Sequence, residues 1–360
     1  MKKKHPGKMK IAICLDGFRH GGTQHAILHM LPHLCKTYDK VYLIVLQQSV
    51  SDLKIPSNIN LVILKFNSIK LVDLHLCKNL FFFFRRVKPD IILASMYRSM
   101  VLAALIKNFE SKLFWMEQNT YFMRTKNQWK LLEILALRVF KIICISSDVA
   151  YLTTSKISKK EKVVTIPNPI LIPQSRIKQL NRENDFIFVG RLVKQKNPKL
   201  AIEAFNSFLK IYNINARLHI IGDGELMQDL KTMVSEFGIM QNCVFHGFLQ
   251  NTEVYSILNR TKTLVSTSVI EGLAMVRLEA LINGNCLVTT NSGGTEQYFP
   301  TSSDIGVFLA QGTKSDLSQK MFNSLDEKFW SPIAIEKRIK AGEDFSPEKI
   351  SSLYIREFNI

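Results

Sequence analysis

Ser266-Thr-Ser-Val-Ile-Glu271-Gly-Leu-Ala-Met275-Val-Arg-Leu-Glu279-Ala-Leu-Ile-Asn-Gly284-Asn-Cys286-Leu-Val-Thr-Thr290 reads as strand end, loop, helix and strand. Thr263 to Ser266 is a short apolar run ending in turn-prone residues. Met275, Leu278 and Ile282 recur at helical spacing. Gly284 closes that helix, and Cys286 to Thr290 is the next strand. Glu271 falls in the loop at the helix mouth, and Glu279 lies about two turns further on. A helix amino terminus presents N–H groups that attract anions, so Leu273 to Met275 suit a phosphate. The two carboxylates suit sugar or ribose hydroxyls, or a developing positive charge. Taken alone, the pair reads sooner as an ordinary crossover helix with Glu on its solvated face, so the rest of the chain has to decide.

The chain has 360 residues, which predicts two or three domains. Its 46% apolar share is that of a protein with full cores. Cys14, Cys144, Cys243 and Cys286 lie inside apolar runs, and none of the six cysteines has metal-ligand or C-x-x-C spacing. Buried thiols in a reducing compartment are expected. The basic start, Met1 to Lys10, is followed by only five apolar residues before Asp16, too few for a signal peptide. No run of 18 apolar residues occurs, so a soluble or peripheral protein is expected.

The net charge of +18 is unevenly placed. Residues 1–180 carry 29 Lys/Arg against 10 Asp/Glu, a net +19, and residues 181–360 carry 19 against 20, a net −1. The basic half suits an anionic membrane or a phosphate-bearing lipid acceptor. Without a zinc finger, RNP motif or aromatic stacking platform, nucleic acid is not the expected partner. Leu80-Phe-Phe-Phe-Phe-Arg-Arg86 sits in a predicted helix, Leu71 to Val87. It reads as core packing or as an interfacial patch, with Phe81 to Phe84 in lipid and Arg85, Arg86 and Lys88 on headgroups.

Strands and helices alternate throughout. Apolar strands are predicted at Met9–Leu15, Val41–Leu46, Leu61–Phe66, Ile91–Ala94, Lys112–Met116, Lys141–Ile145 and Lys162–Ile166. Repeated βα units imply a parallel sheet covered on both faces. Pro167 to Pro173 and the polar run to Asn184 read as a linker. The rhythm then restarts at Asp185–Gly190, with Asn197-Pro198 as N-cap and first residue of a helix. The expected fold is therefore α/β with two tandem Rossmann-like doubly wound domains facing an interdomain cleft, residues 1–175 and 182–340. Residues 345–358 read as an amphipathic helix that would bury Phe345, Ile350, Leu353, Tyr354 and Phe358.

Ligands of such sheets bind at the carboxyl ends of the strands. One strand empties into Gly190-Arg191-Leu-Val-Lys-Gln-Lys196-Asn197-Pro198, where Arg191 and Lys196 suit a diphosphate. Another empties into Gly222-Asp-Gly224, where backbone can approach a flat ring or ribose. A third empties into the Glu271 loop. Each signal alone is weak. Together with Phe245-His-Gly-Phe248 and Gly293-Gly294-x-Glu296 they resemble the donor domain of GT4-type retaining glycosyltransferases of the GT-B fold, group 1. The resemblance covers the second half, and extends more loosely to Gly21-Gly22, Lys88-Pro-Asp90 and Ile166-Pro-Asn-Pro169.

The resemblance implies that residues 1–175 serve the acceptor and 182–340 a nucleotide-sugar donor, that the terminal helix within 345–360 packs back on the first domain, and that Glu271, Arg191 and Lys196 have catalytic roles. Arg191 and Lys196 would neutralise the leaving diphosphate, and Glu271 would sit by the transferred sugar. Donor binding would involve Gly190, Gly222, Gly224, Phe248, Gly272, Leu273, Ala274, Met275 and Glu279, the last on the ribose hydroxyls. Gly21, Gly22, Gln118 and Asn119 would serve closure and the acceptor. No metal and no cofactor would be needed beyond a nucleotide sugar, with UDP the first expectation. The acceptor would be a lipid-linked or envelope polysaccharide, as in O-antigen, capsule or lipopolysaccharide assembly, with the enzyme in the cytoplasm on the inner face of the cytoplasmic membrane. Gln118 occupies the place where many relatives carry His, and Gln cannot be a general base. Ala274 replaces a frequent Gly or Pro. His20 and His25 read as solvated loop and helix-start residues. Two further readings stay open: a UDP-sugar 2-epimerase of the same architecture, which would need acid/base carboxylates and a cleft His, and a non-enzymatic basic nucleic-acid-binding protein.

Overall fold

The computed structural model describes residues 8–17, 21–47, 61–65, 73–108, 110–118, 124–172, 182–294, 296–298 and 305–359. The chain divides into two compact units, Met1–Ile170 with Phe345–Ile360, and Leu171–Asp344.

In the first unit, β1 (Lys10–Gly17), β2 (Lys40–Gln47), β3 (Leu61–Lys65), β4 (Ile91–Ser95), β5 (Lys112–Glu117), β6 (Lys141–Cys144) and β7 (Val163–Thr165) form one parallel sheet in the order β3-β2-β1-β4-β5-β6-β7. Its central strands are apolar on both faces: Ile11 to Leu15 and Ile91 to Ala94 are buried throughout. The crossovers are α1 (Gly22–Thr37), α2 (Leu74–Val87), α3 (Tyr97–Ile106), α4 (Lys126–Leu135) and α5 (Ser147–Lys156). Polar side chains fix where these helices start. Asp73 accepts the N–H groups of His75 and Leu76 at 3.0 and 3.1 Å, so α2 begins at Leu74, whereas the apolar pattern alone suggests Leu71. Asp16, at the end of β1, accepts those of Arg98 and Ser99 at the start of α3.

The second unit repeats the scheme. Its strands are β8 (Glu183–Val189), β9 (Leu218–Ile221), β10 (Cys243–Gly247), β11 (Thr261–Ser266), β12 (Cys286–Thr290) and β13 (Val307–Ala310), and all run parallel in the order β10-β9-β8-β11-β12-β13. The helices are α6 (Pro198–Tyr212), α7 (Met227–Glu236), α8 (Asn251–Arg260), α9 (Met275–Ile282), α10 (Lys314–Asn323) and α11 (Pro332–Glu343). Phe186, Phe205 and Phe208 sit at the centre of its core, with ring centroids 5.0–6.1 Å apart. The strand order reverses between β8 and β11, and a doubly wound sheet opens a crevice at the carboxyl ends of such a pair.

The last helix, α12 (Pro347–Phe358), rejoins the first unit against α1. Phe358 meets Phe114 of β5 edge-on at 4.8 Å, and Lys141 pairs with Glu357. Phe345, Ile350, Tyr354 and Phe358 are buried as expected, but Leu353 is 42% exposed; it lies about 100° round the helix from the buried stripe centred on Tyr354. A second correction concerns Asn197. It precedes α6 with Pro198 at the first position, yet its backbone is left-handed (φ +48°) and its side chain makes no capping bond. No helix among the described residues is long and apolar enough to cross a membrane.

Candidate active site

The loops leaving β8, β9, β11 and β12 meet at the carboxyl edge of the second sheet, around its reversal point. Gly190 closes β8, its N–H on the carbonyl of Ile221 at 3.0 Å. Leu192, fully buried, donates to Asp223 and accepts from Leu226, which laces the β8 loop to the β9 loop. This explains the glycines differently from their place in the sequence. A Cβ on Gly222, whose φ is +129°, would stand 1.9 Å from the Gly190 carbonyl oxygen, and one on Gly224 would stand 2.5 Å from that of Leu192. The Gly222-Asp-Gly224 turn lets backbone lie directly on backbone.

The β11 loop is held just as closely. Gln195 accepts the Val269 N–H through its main chain and donates its carboxamide to the Ile270 carbonyl, both at 2.9 Å. Thr267 donates its hydroxyl to the Asn197 carbonyl at 2.8 Å. The Glu271 N–H is bound by the Ser292 carbonyl at 2.9 Å, and Gly294 (φ +74°) packs so tightly that a Cβ would lie 2.1 Å from the Gly272 carbonyl oxygen. The structure therefore brings Lys196 and Glu271 together across two loops: Nζ and Oε1 are 2.5 Å apart, with Glu271 only 6% exposed. Arg191 projects from the same loop as Lys196, exposed and without a side-chain partner among the described residues.

Leu273 and Ala274 are buried at the entry to α9, and Ala274, the N-cap, has no side chain that could cap the helix. Glu279 is half-buried on that helix, and burial pushes its carboxyl up to about 7. No donor reaches the Glu279 carboxylate among the described residues. Phe248, just after β10, is exposed. Arg277 is a site residue that motif reading misses; it is fully buried. Its guanidinium spans Ser266 Oγ (3.0 Å), Ser292 Oγ (2.7 Å) and the Thr290 carbonyl (3.4 Å), tying the ends of β11 and β12 together. Only its position, one turn before Leu281 on an otherwise apolar helix face, hints at burial.

Among the candidates of the first unit, Gln118 meets the start of α1. Gln118, beyond β5, accepts from the Thr23 hydroxyl at 2.9 Å and from Asn168 Nδ2 at 3.1 Å through one oxygen. Its own Nε2 is buried without a partner among the described residues. Gly21 is the N-cap of α1 in extended backbone (φ −171°), and Gly22 is the first helical residue. His25 is half-buried and lies 6.1 Å from the His29 ring. Asn119 and His20 lie outside the described residues. Beside Gln118, Glu117 and Arg124 form a buried ion pair. At the opposite, amino-terminal ends of β8 and β9, Glu183, Asp185 and His219 cluster. Arg217 binds both carboxylates there at 2.9 Å. Burial works to raise the Asp185 carboxyl, but the bonds from His219 and Arg217 outweigh it and hold it below the usual range.

Residues 173–342 match the model of the family Glycosyl transferases group 1. Over its full length the chain is similar to GalNAc-alpha-(1->4)-GalNAc-alpha-(1->3)-diNAcBac-PP-undecaprenol alpha-1,4-N-acetyl-D-galactosaminyltransferase of Campylobacter jejuni, with 22% identity covering 97% of this chain and 98% of that one. The O-antigen biosynthesis glycosyltransferase WbnH of Escherichia coli is 28% identical over 61% of this chain and 60% of its own length. Among solved structures, HepE of Anabaena in complex with UDP superposes with a TM-score of 0.80 at 16% identity, covering 97% and 99% of the two chains. That likeness fixes the fold.

Proposed function

We propose that this chain, which has the GT-B fold and matches the group 1 glycosyltransferase model over residues 173–342, is a GT4-type retaining glycosyltransferase. In this reading it moves a sugar from a UDP-linked donor to a lipid-linked or envelope polysaccharide acceptor. The observation that carries the reading is the Lys196–Glu271 contact at the reversal point of the second sheet, with exposed Arg191 on the loop that bears Lys196 and the α9 amino terminus following the loop that bears Glu271.

The chemistry follows from what each group can do. In transfer, the bond between the anomeric carbon and the phosphate oxygen breaks, and its electron pair goes to the diphosphate. Arg191, Lys196 and the N–H groups opening α9 supply positive charge where that negative charge develops. Glu271 faces the opposite charge, the oxocarbenium-like sugar, and accepts its hydroxyls. Glu279 takes the ribose hydroxyls. The acceptor hydroxyl attacks the face the nucleotide leaves, and its proton passes to the departing phosphate oxygen, since Gln118 cannot take it. We assign Gln118, with its unpartnered Nε2, and the Gly21-Gly22 turn to the acceptor. Because the protein cations do the neutralising, turnover is expected to persist in EDTA. With a nucleotide-sugar donor and a lipid-linked acceptor the enzyme would work on the cytoplasmic face of the membrane; the undecaprenol-linked substrate in the name of the Campylobacter relative supports the lipid-linked acceptor.

The test is incubation of the purified chain with UDP-sugars and undecaprenyl-diphosphate oligosaccharides. Transfer with the donor's anomeric configuration in the product, read by NMR, is expected. An inverted product would overturn retention. Conversion of the UDP-sugar to its 2-epimer without an acceptor would overturn glycosyl transfer itself.

A further inference from the structure

We infer that the outer face of α2 is a docking surface for an anionic lipid bilayer. The helix separates its phenylalanines by register. Leu76, Leu80 and Phe84, at i, i+4 and i+8, are buried and seat α2 on its own unit, and Phe83 is half-buried against Tyr42 at 5.4 Å. Core packing therefore accounts for Phe84 and part of Phe83, and for nothing on the other side. There Leu74 is 82% exposed, Phe82 58% and Phe81 38%.

At 100° per residue, Leu74, Lys78, Phe81, Phe82 and Arg85 share one stripe, with Arg86 at its margin. The rings of Phe81 and Phe82 meet edge-on at 5.8 Å, and the Arg85 guanidinium lies 5.5 Å over Phe81. Residues 74–88 hold four cations, Lys78, Arg85, Arg86 and Lys88, and no acid. A cation at the end of a helix also complements its dipole, but that leaves the large exposed apolar side chains beside the cations unexplained. Apolar side chains that dip below the headgroups, flanked by cations that stay among them, are what an anionic interface recognises. Leu74 favours lipid over nucleic acid: an aliphatic side chain in line with the aromatic pair adds insertion depth but no base stacking.

The inference rests on the lipid-linked-acceptor reading for the biological identity of the surface, and its test reads binding without turnover. The full chain is sedimented with vesicles of phosphatidylcholine alone and with phosphatidylglycerol added. Binding to the anionic vesicles only is expected. Each cation near such a surface contributes roughly fivefold in partitioning, so R85E/R86E is expected to lower binding by well over tenfold, and F81S/F82S by at least tenfold. Both variants should keep wild-type melting and UDP affinity, because these side chains face outward. Phe82→Trp retains an apolar ring, and its indole fluorescence should shift to the blue on anionic vesicles. Vesicle binding that survives both double substitutions overturns the inference, as does fluorescence of the Phe82→Trp variant that vesicles leave unmoved. Single-stranded RNA binding at matched salt that is tighter than vesicle binding, and equally sensitive to F81S/F82S, also overturns it.

Discussion

Lys196 Nζ and Glu271 Oε1 are 2.5 Å apart, so the cation assigned to the diphosphate and the carboxylate assigned to the sugar are each other's partner. A diphosphate that recruits Lys196 must compete with Glu271 for it. Glu271→Gln removes the competitor's charge and leaves its shape. UDP should then bind about fivefold tighter, the worth of a partly exposed ion pair of about 1 kcal/mol. Turnover should fall by roughly 100-fold, because the charge facing the sugar is gone. Calorimetry with UDP and initial rates separate the two effects. Unchanged or weaker UDP binding would show that Lys196 does not serve the diphosphate.

Glu279 links the site to pH. Its carboxyl is pushed up to about 7 by burial, well above an unfolded glutamate. The folded state therefore resists its ionisation. That penalty is absent below the unfolded pKa, grows as pH rises, and is complete above about 7. Glu279→Gln should raise Tm at pH 8 and leave it unchanged at pH 4. If ribose hydroxyls donate to this group, they favour its ionised form, so UDP affinity should rise with pH through 7 in the wild type. Comparison with Glu279→Gln at each pH cancels the titration of UDP itself. Parallel profiles for the two proteins would remove Glu279 from the ribose.

Two glycines of the same loop pair should behave oppositely. Gly222 holds φ +129° with the Gly190 carbonyl oxygen 1.9 Å from where a Cβ would be, so Gly222→Ala must push the β8 and β9 loops apart. A loss of about 3 kcal/mol or more is expected by chemical denaturation, together with loss of UDP binding. A Cβ on Gly190 meets only the Lys196 side chain, at 3.5 Å, an ordinary contact. Gly190→Ala should keep wild-type stability within about 0.5 kcal/mol. Equal damage from both substitutions would contradict the interlocked-loop account.

The doubly wound fold is legible because its signals are local. Ile11 to Leu15 and Phe186 to Val189 are apolar at every position, as strands covered on both faces must be, and Met275 opens α9 where the period changes. The loops at the reversal point are legible for the same reason: their glycines and charges directly follow recognisable strands. What stays hidden depends on partners distant in sequence. Gln195 looks like any polar loop residue until Val269 and Ile270 arrive beside it. The Gly222 turn looks open to a ligand because the loop that fills its space begins 32 residues earlier, at Gly190. β13 escapes notice because four apolar residues are too few to declare a strand, and pairing with β12 fixes it; the apolar positions of α10 and α11 are interrupted by charge, and packing on α6 and α9 fixes those helices.

Arg277 gives the sharpest test of how the site is built. Its influence on Glu271 runs through Ser292: the guanidinium holds Ser292 Oγ at 2.7 Å, and the Ser292 carbonyl holds the Glu271 N–H at 2.9 Å. It also holds Ser266, the last residue of β11. A lysine could satisfy one of these acceptors, not three at once, because only the guanidinium offers donors in a fixed fork. Arg277→Lys should therefore cost about 1.5–3 kcal/mol in stability. It should lower kcat by about tenfold while leaving UDP affinity within about twofold, since what moves is the carboxylate facing the sugar. Arg277→Met should be worse in both stability and kcat. If UDP affinity and kcat fall together in Arg277→Lys, the guanidinium supports the whole pocket rather than the placement of Glu271, and its role as a positioning residue is lost.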